Sequence, residues 1–449
     1  MAVCNFLEIK FMLDIKYIRE HKDEVQANCV NRLAKVDIDQ LLKTDDERRA
    51  LIARIDEMRA TRNQKSKTKP TEEEIAKMKA LGEEESALNS SLNALEGQLR
   101  DLLLAVPNLT HPDVVVSSDE SENHILETVG EVPKFDFEAL DHVALAAKHD
   151  LIEFDRATKV SGAKFFYLKK DLARMELALI NYTVDLIIGH GYDLMSTPDL
   201  AKTEILENLG FNPRGESTQV YNIAGSDLSL IGTAEITLGG LHADEVFEAS
   251  ELPKKYVGIS HCFRTEAGSY SKFSKGISRV HQFTKVEMFA FARPEDSGKI
   301  HQEILEIEKE IFSGLGIAYQ VIDHCTADLG NPSYRTFDLE AWMPGKPTSP
   351  SAGLRTEAKL STGTKDGDVN GDWAEVTSTS NCTDYQARGL NIKYKNAEGK
   401  KEFAHTLNGT GVATTRALIA IMENYQQADG SILIPQVLRQ YMGGQEKIG

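Results

Sequence analysis

The chain has 449 residues, of which 41% are hydrophobic and 27% charged, and its formal net charge is -18 at pH 7. This length predicts two domains, and no apolar run is long enough to span a bilayer, so a membrane-spanning protein is not expected. The negative charge argues against indiscriminate binding of nucleic acid, because phosphates are repelled wherever basic residues are not concentrated locally, and DNA is not an expected partner.

The first eleven residues, ahead of Met12, are interpreted as an N-terminal extension (1–11). They contain one basic residue, Lys10, and one acidic residue, Glu8. The apolar stretch and cleavage site of a secretory leader are missing, as is the arginine and serine richness of an organellar one. We therefore expect a cytoplasmic protein, with Met12 as a candidate for the natural initiator.

Next along the chain, two heptad patterns predict a helical hairpin. Over residues 71–104 apolar residues recur in steps of three and four, interrupted only by Glu85. A weaker seam over residues 38–58 predicts a partner helix, and Pro70 followed by a capping box at Thr71 marks the turn between the two. An antiparallel arm roughly 50 Å long follows from a rise of about 1.5 Å per residue.

Basic residues are concentrated on the first helix of this arm and at its tip. They are Arg32, Lys35, Lys43, Arg48, Arg49, Arg54, Arg59, Arg62, Lys65, Lys67 and Lys69. In an acidic chain, a long basic arm suits contact with the backbone of a folded RNA. Two alternatives remain at this point: a dimerisation coiled coil has the same heptads, and the interspersed acidic residues also fit a solvated charged face.

The remainder of the chain predicts an α+β domain. After a polar connector (112–150), residues 171–190 have the pattern of an amphipathic helix, and residues 191–198 lead into a strand whose proline suits an edge or an interface. Further strands and helices alternate without a βαβ rhythm. This favours an antiparallel sheet flanked by helices.

A pair of predicted strands around residues 263–287 has the composition of a binding site. Side chains alternate along a strand, so Phe283, Lys285 and Glu287 share one face, with the ring and the carboxylate about 13 Å apart. Arg264 ends the first strand and could hold an anion in bidentate fashion. A nucleotide condensed with an amino acid would satisfy all three groups. The alternative is an ordinary half-buried hairpin, with Glu287 paired to Lys285 or Arg279.

Cysteines give no indication of a metal site. Cys4, Cys29, Cys262, Cys325 and Cys382 are scattered, without a Cys-x-x-Cys pair or ligand spacing. This usage fits a reducing compartment and argues against structural zinc.

The motifs, taken in order, resemble those of seryl-tRNA synthetase, a class II aminoacyl-tRNA synthetase. Residues 13–20 resemble the opening of that family, and the hairpin resembles its tRNA-binding arm. Residues 191–198 resemble motif 1, which lies at the dimer interface in the family, and residues 263–287 resemble motif 2. Leu407-Asn408-Gly409-Thr410-Gly411, with Arg416 and the segment 422–426, resembles motif 3.

The resemblance implies a domain organisation and an activity. It divides the chain into the extension, a helical tRNA-binding arm (12–111) and a class II catalytic domain (112–449). The implied reaction activates L-serine with ATP to seryl-adenylate and transfers serine to the 3′-terminal ribose of tRNA(Ser), with tRNA(Sec) as a second acceptor. A cytoplasmic homodimer with no membrane contact is implied as well.

The resemblance also implies the residues that bind serine. Glu235 would pair with the substrate ammonium and Thr233 would hydrogen-bond it. Glu287 and Thr410 would bind the other end of serine, where rejection of alanine requires a partner for the substrate hydroxyl. Thr410 stands where the family often has serine.

For ATP, the resemblance implies two arginines. Arg264 would neutralise the α-phosphate, and Arg416 would cover adenine and reach the γ-phosphate; these two are the expected catalytic residues. The other ATP-binding residues would be Thr265, Glu266, Val280, Phe283, Glu375, Val376, Thr377 and Ser378. Among these, Glu375 and Ser378 would hold Mg²⁺, a cation that prefers hard oxygen donors.

One segment departs from the family pattern. The stretch 344–372 is longer than expected and rich in proline, serine, threonine and glycine, which predicts a surface insertion loop. Residues 366–377 follow the first half of a calcium loop, but Thr377 stands where a carboxylate belongs, so a plain acidic turn is the alternative.

Two other functions compete with the synthetase hypothesis. A synthetase-like ligase that loads a carrier protein would share the chemistry but would not need the basic arm. A catalytically inactive RNA-binding scaffold would be expected to lack Arg264, Glu287 or Arg416, and all three are present.

Overall fold

The computed structural model describes residues 12–65, 72–211, 218–267, 275–346 and 371–449. Several predicted features lie wholly or partly outside these residues. They are the N-terminal extension, the hairpin tip with its capping box, most of the insertion loop and the first part (366–370) of the candidate calcium loop. The described chain divides into two compact units, one ending at Leu109 and the other spanning Thr110–Gly449. No helix in the described ranges has the length and apolar character needed to cross a membrane.

The first unit is helical. Its helices are α1 (Ile15–Glu20), α2 (Lys22–Asn31), α3 (Ile38–Lys65) and α4 (Glu72–Leu104). The start of α3 is set by side chains, because Asp37 Oδ1 accepts from the Gln40 N–H at 3.1 Å and Gln26 Oε1 accepts from the Ile38 N–H at 3.0 Å. Both acceptors satisfy backbone donors that the first turn leaves unpaired.

Helices α3 and α4 form the predicted antiparallel hairpin. Leu41 and Ile55 on α3, and Leu92 and Leu99 on α4, are almost completely buried. Ion pairs cross the hairpin in antiparallel order, joining Arg48 to Glu96, Arg54 to Glu84 and Arg59 to Glu85.

Glu85, the one interruption of the heptad seam, has a structural explanation. Its carboxylate accepts from Arg59 Nε at 2.8 Å and from Arg62 Nη1 at 2.6 Å, and only 13% of its side chain is exposed. Glu85 can pair with these arginines in only one alignment of α3 and α4, so this polar group specifies the register of the two helices.

The arginines of α3 are largely committed to carboxylates of the same unit. Besides the cross-hairpin pairs, Arg49 Nε lies 2.8 Å from Asp45. Arg32 is one of the basic residues that the sequence assigned to the arm. It is buried and donates to the Asn108 carbonyl at 3.0 Å, so it is a structural residue.

The second unit is an α+β fold, as predicted. Its helices are α5 (His142–His149), α6 (Asp155–Ser161), α7 (Lys170–Gly189), α8 (Thr203–Asn208), α9 (Glu235–Gly240), α10 (Pro294–Gly314), α11 (Tyr385–Leu390) and α12 (Thr414–Asn424). Short 3₁₀ turns occur at Glu120–Glu122, Ala249–Glu251 and Gln436–Met442.

Its strands fall into one large sheet and several small ones. They are β1 (His124–Val129), β2 (Ile152–Glu153), β3 (Tyr167–Leu168), β4 (Asp193–Ser196), β5 (Leu200–Lys202), β6 (Leu228–Leu230), β7 (Val246–Glu248), β8 (Lys254–Phe263), β9 (Gln282–Ala292), β10 (Tyr319–Asp323), β11 (Arg335–Met343), β12 (Asp372–Asn381), β13 (Lys393–Lys395), β14 (Lys401–Phe403), β15 (His405–Ala413), β16 (Ile432–Leu433) and β17 (Lys447–Ile448).

The large sheet has eight strands in the order β1-β10-β11-β12-β15-β9-β8-β4. Neighbours are antiparallel except at one edge, where β4 runs parallel to β8. The strand that carries the predicted proline-flanked segment is therefore an edge strand, as its sequence suggested.

Alternation along β9 separates two hydrophobic cores. Val286, Met288 and Ala290 join a core that includes α7, α10 and α12, whereas Phe289 and Phe291 join a core built around α8, α9 and α11. The face that buries Phe289 and Phe291 also carries Lys285 and Glu287 by alternation, whereas Phe283, at the start of the strand, packs against the first core. Polar residues at the start of this face thus border an apolar core at its end.

The role assigned to Glu85 can be tested in the intact chain. In Glu85→Ala the two arginines lose a shared acceptor but still reach solvent, so we expect local opening to become easier by about 1 kcal/mol. Hydrogen exchange of α3 and α4 amides should accelerate about fivefold. Glu84→Ala, which removes the exposed Arg54–Glu84 pair, is the control and should change exchange by less than about twofold. Equal exchange rates in both variants would contradict a register role for Glu85.

Candidate active site

A cavity of about 410 Å³ opens beside the central strands of the large sheet. Its wall contains nearly all of the residues predicted to bind serine or ATP: Thr233, Glu235, Arg264, Glu266, Val280, Phe283, Glu287, Glu375, Val376, Thr377, Ser378, Thr410 and Arg416. Thr265 is the exception, because its hydroxyl donates to the Thr218 carbonyl at 2.5 Å and does not line the cavity.

The predicted face of β9 is present in the cavity wall. Phe283, Lys285 and Glu287 all line it, and the Arg264 guanidinium, one residue beyond the end of β8, lies 5.2 Å from the centre of the Phe283 ring. Lys285 Nζ lies 2.5 Å from Glu287 Oε2, which is the ion pair expected of an ordinary hairpin. The two interpretations are thus compatible, since the pair is itself part of the wall.

Glu235 is a buried carboxylate held by two amides. Gln386 Nε2 donates to its Oε1 at 2.7 Å and Asn408 Nδ2 donates to the same oxygen at 3.1 Å. The Gln386 amide is oriented by Thr406, whose hydroxyl donates to Gln386 Oε1 at 2.7 Å, so the amide nitrogen must face Glu235. Burial, reinforced by the charge of Glu287, raises the pKa of Glu235 to about 7.

The deep end of the cavity therefore has more negative than positive groups. Glu235 and Glu287 are both buried there, and Lys285 pairs with Glu287. Thr410 stands opposite Glu287 in the strand register, and its hydroxyl donates to Glu287 Oε2 at 3.4 Å. An ammonium ligand would complete the charge balance at this end.

The other end of the cavity contains two arginine–carboxylate pairs. Arg416, in the first turn of α12, donates to the Glu375 carbonyl at 3.0 Å and lies 2.8 Å from Glu375 Oε1. Burial would raise the pKa of Glu375, but the Arg416 charge outweighs it, so the pKa is lowered. Arg279 donates to Glu266 Oε2 at 3.4 Å. Guanidinium groups held in this way are available to bind phosphate oxygens.

The donors next to Glu375 fit a hard divalent cation. Ser378 and Glu375 face a second polar cavity as well as the first, and Asp338, opposite Ser378 in the register, lines it too. Asp338 is buried, and its Oδ1 has no hydrogen-bond partner among the described residues. Three oxygen-bearing groups with an unsatisfied buried oxygen suit Mg²⁺ completed by phosphate or water. Within the described ranges, no set of three or more histidine, cysteine, aspartate or glutamate residues could hold a metal alone.

A buried histidine, His324, pairs with the carboxylate of Asp338 and with that of Asp328. Asp338 lies 2.9 Å from His324 Nε2, and Asp328 lies 3.3 Å from His324 Nδ1. Burial would lower the pKa of His324, but the two carboxylates outweigh it and raise the pKa to about 10. The imidazolium therefore stabilises negative charge next to Ser378.

Three residues of the site were not predicted. Lys285, which lines the cavity, could have been assigned from its position between Phe283 and Glu287 in the strand. Asn408 also lines the cavity and lies inside the Asn-Gly-Thr-Gly segment, but nothing local marks it as a partner of Glu235. Gln386 supports Glu235 from α11 without lining the cavity, and its role depends on tertiary packing.

Comparison with known proteins identifies the family. A model described as the tRNA synthetase class II core domain (G, H, P, S and T) matches residues 220–425, and a model described as the seryl-tRNA synthetase N-terminal domain matches residues 12–110. The serine–tRNA ligase of Treponema denticola is 47% identical over 439 residues, which cover 96% of this chain and 99% of that protein.

Solved structures agree over both units. Seryl-tRNA synthetase from Pyrococcus horikoshii, complexed with ATP, matches with a TM-score of 0.80 at 34% identity and covers 97% of this chain and 99% of that chain. The cytoplasmic serine-tRNA ligase of Naegleria fowleri, in complex with AMP, matches with a TM-score of 0.77 at 33% identity, covering 97% and 98%.

The raised pKa of Glu235 predicts a pH-dependent stability difference. Its ordinary pKa is 4.5 and its folded value is about 7, so between these values the folded state binds the proton more tightly than the unfolded state. Ionisation of Glu235 therefore lowers stability as pH rises through that window. Glu235→Gln should become more stable relative to wild type by about 2–3 kcal/mol between pH 4.5 and pH 8.

Denaturant unfolding of both proteins at several pH values measures this difference. Glu398→Gln, at an exposed glutamate of the same unit, is the matched control and should show no such trend. A difference between Glu235→Gln and wild type that stays constant with pH would refute the assignment.

Proposed function

Because the chain belongs to the seryl-tRNA synthetase family, and is thus an aminoacyl-tRNA ligase that uses ATP, we propose how its cavity performs the reaction. Serine and ATP react there to form seryl-adenylate and pyrophosphate. Serine then passes to the 3′-terminal ribose of tRNA(Ser), with tRNA(Sec) as a second acceptor. The observation that carries this proposal is the cavity itself, with buried carboxylates at one end and arginines at the other.

Serine binds at the deep end in this proposal. Its ammonium pairs with Glu235, whose raised pKa falls when a cation replaces solvent beside it. Thr233, next to Glu235 in the wall, supplies a further hydrogen-bond partner. The substrate hydroxyl binds near Glu287 and Thr410, whose side chains are joined only by a long hydrogen bond of 3.4 Å.

ATP binds across Phe283 toward Arg416. The Phe283 ring stacks on adenine, Arg416 covers the opposite face and reaches the γ-phosphate, and Glu266 and the Val280 backbone read the base edge. Glu375, Val376, Thr377 and Ser378 line the phosphate end. Thr265 follows Arg264 in sequence and supports it from outside the wall, where its hydroxyl and its N–H donate to the carbonyls of Thr218 and Gln219.

The first chemical step is an in-line displacement at the α-phosphorus. A serine carboxylate oxygen forms the new P–O bond while the bond to the pyrophosphate oxygen breaks, and no proton is transferred. Arg264 offsets the negative charge that accumulates on the α-phosphoryl oxygens. In the second step a ribose hydroxyl of the tRNA attacks the serine carbonyl carbon and forms the ester bond. The bond from that carbon to the phosphate oxygen breaks, AMP leaves, and the hydroxyl proton passes to the departing phosphate or to water.

Glu375 and Ser378 would hold Mg²⁺ in this scheme. The ion would supply positive charge to the phosphate oxygens. The buried Asp338 oxygen beside Ser378 supports this placement.

The helical arm is the proposed contact for tRNA. The match of residues 12–110 to the family's N-terminal domain supports it. Most described arginines of α3 are engaged in ion pairs within the unit, so RNA phosphates would have to compete with those carboxylates. A ligase that loads a carrier protein would have no use for such an arm. In this proposal the enzyme lies in the cytoplasm.

A homodimer is proposed through the edge of the large sheet at β4. Exposed apolar side chains, unusual for a free surface, occur there and on neighbouring elements: Leu177, Ile188, Leu194 and Leu200. An edge strand also offers unpaired backbone groups to a second copy.

The role of Arg264 is tested by serine-dependent exchange of pyrophosphate into ATP. In Arg264→Ala we expect the exchange rate to fall about 100- to 1000-fold, because a charge that stabilises the transition state is lost. Arg293→Ala removes a surface arginine paired with Asp296 and should leave the rate unchanged. Exchange at the wild-type rate in Arg264→Ala would exclude the proposed role, and its absence from wild type would favour an inactive RNA-binding scaffold.

The proposed dimer is tested by sedimentation. Leu194→Asp places a charge on the edge strand and should shift the protein from dimer to monomer at micromolar concentration. The control, Leu126→Asp, alters an exposed leucine of β1 at the opposite edge of the sheet and should leave the dimer intact. A dimer that persists in the first variant would place the interface elsewhere.

A further inference from the structure

Outside the cavity, a completely buried pair of His142 and Glu423 joins three segments that are distant in sequence. Glu423, near the end of α12, accepts from the His142 backbone N–H at 3.0 Å and from the His142 ring Nδ1 at 2.9 Å, both through Oε1. Its other oxygen accepts from the Gly345 N–H at 2.9 Å. With both side chains at 0% exposure, neither can exchange these partners for water.

These contacts determine the tautomer of the ring. The hydrogen must reside on Nδ1, which faces a carboxylate, and Nε2 is therefore an acceptor. The Ile277 N–H donates to this Nε2 at 3.4 Å. His142 thus connects α12 to the segment that leads into β9, and a ring in the other tautomer would set two donors against each other.

The packing around Nε2 shows how closely the segment approaches the ring. Gly276 has φ +62°, and a Cβ built on it would lie 2.1 Å from His142 Nε2. Only glycine allows this approach without displacing the ring. One residue earlier, Lys275 pairs with Asp141, the N-cap residue of α5.

Immediately after this anchored stretch, the chain forms a wall of the cavity. Ser278, Arg279 and Val280 all line it, and Arg416 lines it from the first turn of α12. The buried pair therefore connects two elements that face the nucleotide end. The serine end belongs to α9, β9 and β15, which the pair does not contact through any hydrogen bond between described residues.

We propose that His142 is a positioning residue, which together with Glu423 holds the wall at residues 278–280 in register with α12 and thereby sets the affinity for ATP. This inference rests on the proposed function, because it assigns that wall to ATP. In variants of this contact the KM for ATP should change while the KM for serine does not. A purely structural role would not affect the two substrates differently.

Two substitutions address the contact from opposite sides. His142→Asn keeps a donor near Nδ1 but removes the acceptor at Nε2, and Gly276→Ala forces the segment and the ring apart while keeping both side chains of the pair. In serine-dependent pyrophosphate exchange, each should raise the KM for ATP about fivefold, the effect of one weakened hydrogen bond. The double variant should be no worse than the more affected single variant, because both act through one contact.

Control variants separate this effect from general damage. His405→Asn alters another hydrogen-bonded histidine of the same unit, whose Nδ1 lies 3.0 Å from Ser297 Oγ, and should leave both KM values unchanged. His142→Gln, whose oxygen can take the place of Nε2, should return the KM for ATP toward the wild-type value.

The outcomes distinguish failure of the role of His142 from failure of the proposed function of the cavity. If His142→Asn fails to fold, Gly276→Ala alone decides the question. Wild-type exchange with a KM for ATP unchanged in the variants, or with both KM values raised equally, would overturn the role of His142 only. A wild-type protein without exchange would overturn the proposed function and this inference with it.

Discussion

The burial of Glu235 and Glu287 at one end of the cavity is the constraint on which the site depends. Two carboxylates removed from water are costly unless cations or hydrogen-bond donors surround them. Here Lys285 and the amides of Gln386 and Asn408 meet that need only in part, which is why burial raises the pKa of Glu235 to about 7. The fold therefore maintains a buried negative site that a ligand ammonium would stabilise.

The same constraint explains how remote segments are held together. In two buried pairs the partners come from distant parts of the sequence, Glu235 with Gln386 and His142 with Glu423, whereas Asp338 and His324 join two neighbouring strands. Because an unpaired buried charge is so unfavourable, each pair specifies one relative placement of its elements. In the first unit, Glu85 serves this purpose between α3 and α4.

Local periodicity accounts for what the sequence alone could predict. Heptads predicted α3 and α4, and strand alternation placed Phe283, Lys285 and Glu287 on one face, since both patterns are set by the backbone. Partners across space could not be predicted. Arg32 looks like a surface charge in sequence but is buried against Asn108, and Thr265 lies between two wall residues but hydrogen-bonds to Thr218. Whether such a side chain faces a cavity depends on tertiary contacts.

Selection of serine, on this scheme, follows from unequal contacts around Glu287. Lys285 lies 2.5 Å from Glu287 Oε2, whereas the Thr410 hydroxyl lies 3.4 Å from the same oxygen. The long contact is the one that a substrate hydroxyl can replace or bridge at little cost. Alanine has no hydroxyl for this exchange, so it forgoes the hydrogen bonds that serine would gain at Glu287 and Thr410. Threonine keeps the hydroxyl, so it must be rejected by volume, and the extra methyl of Thr410 reduces the space available at that position.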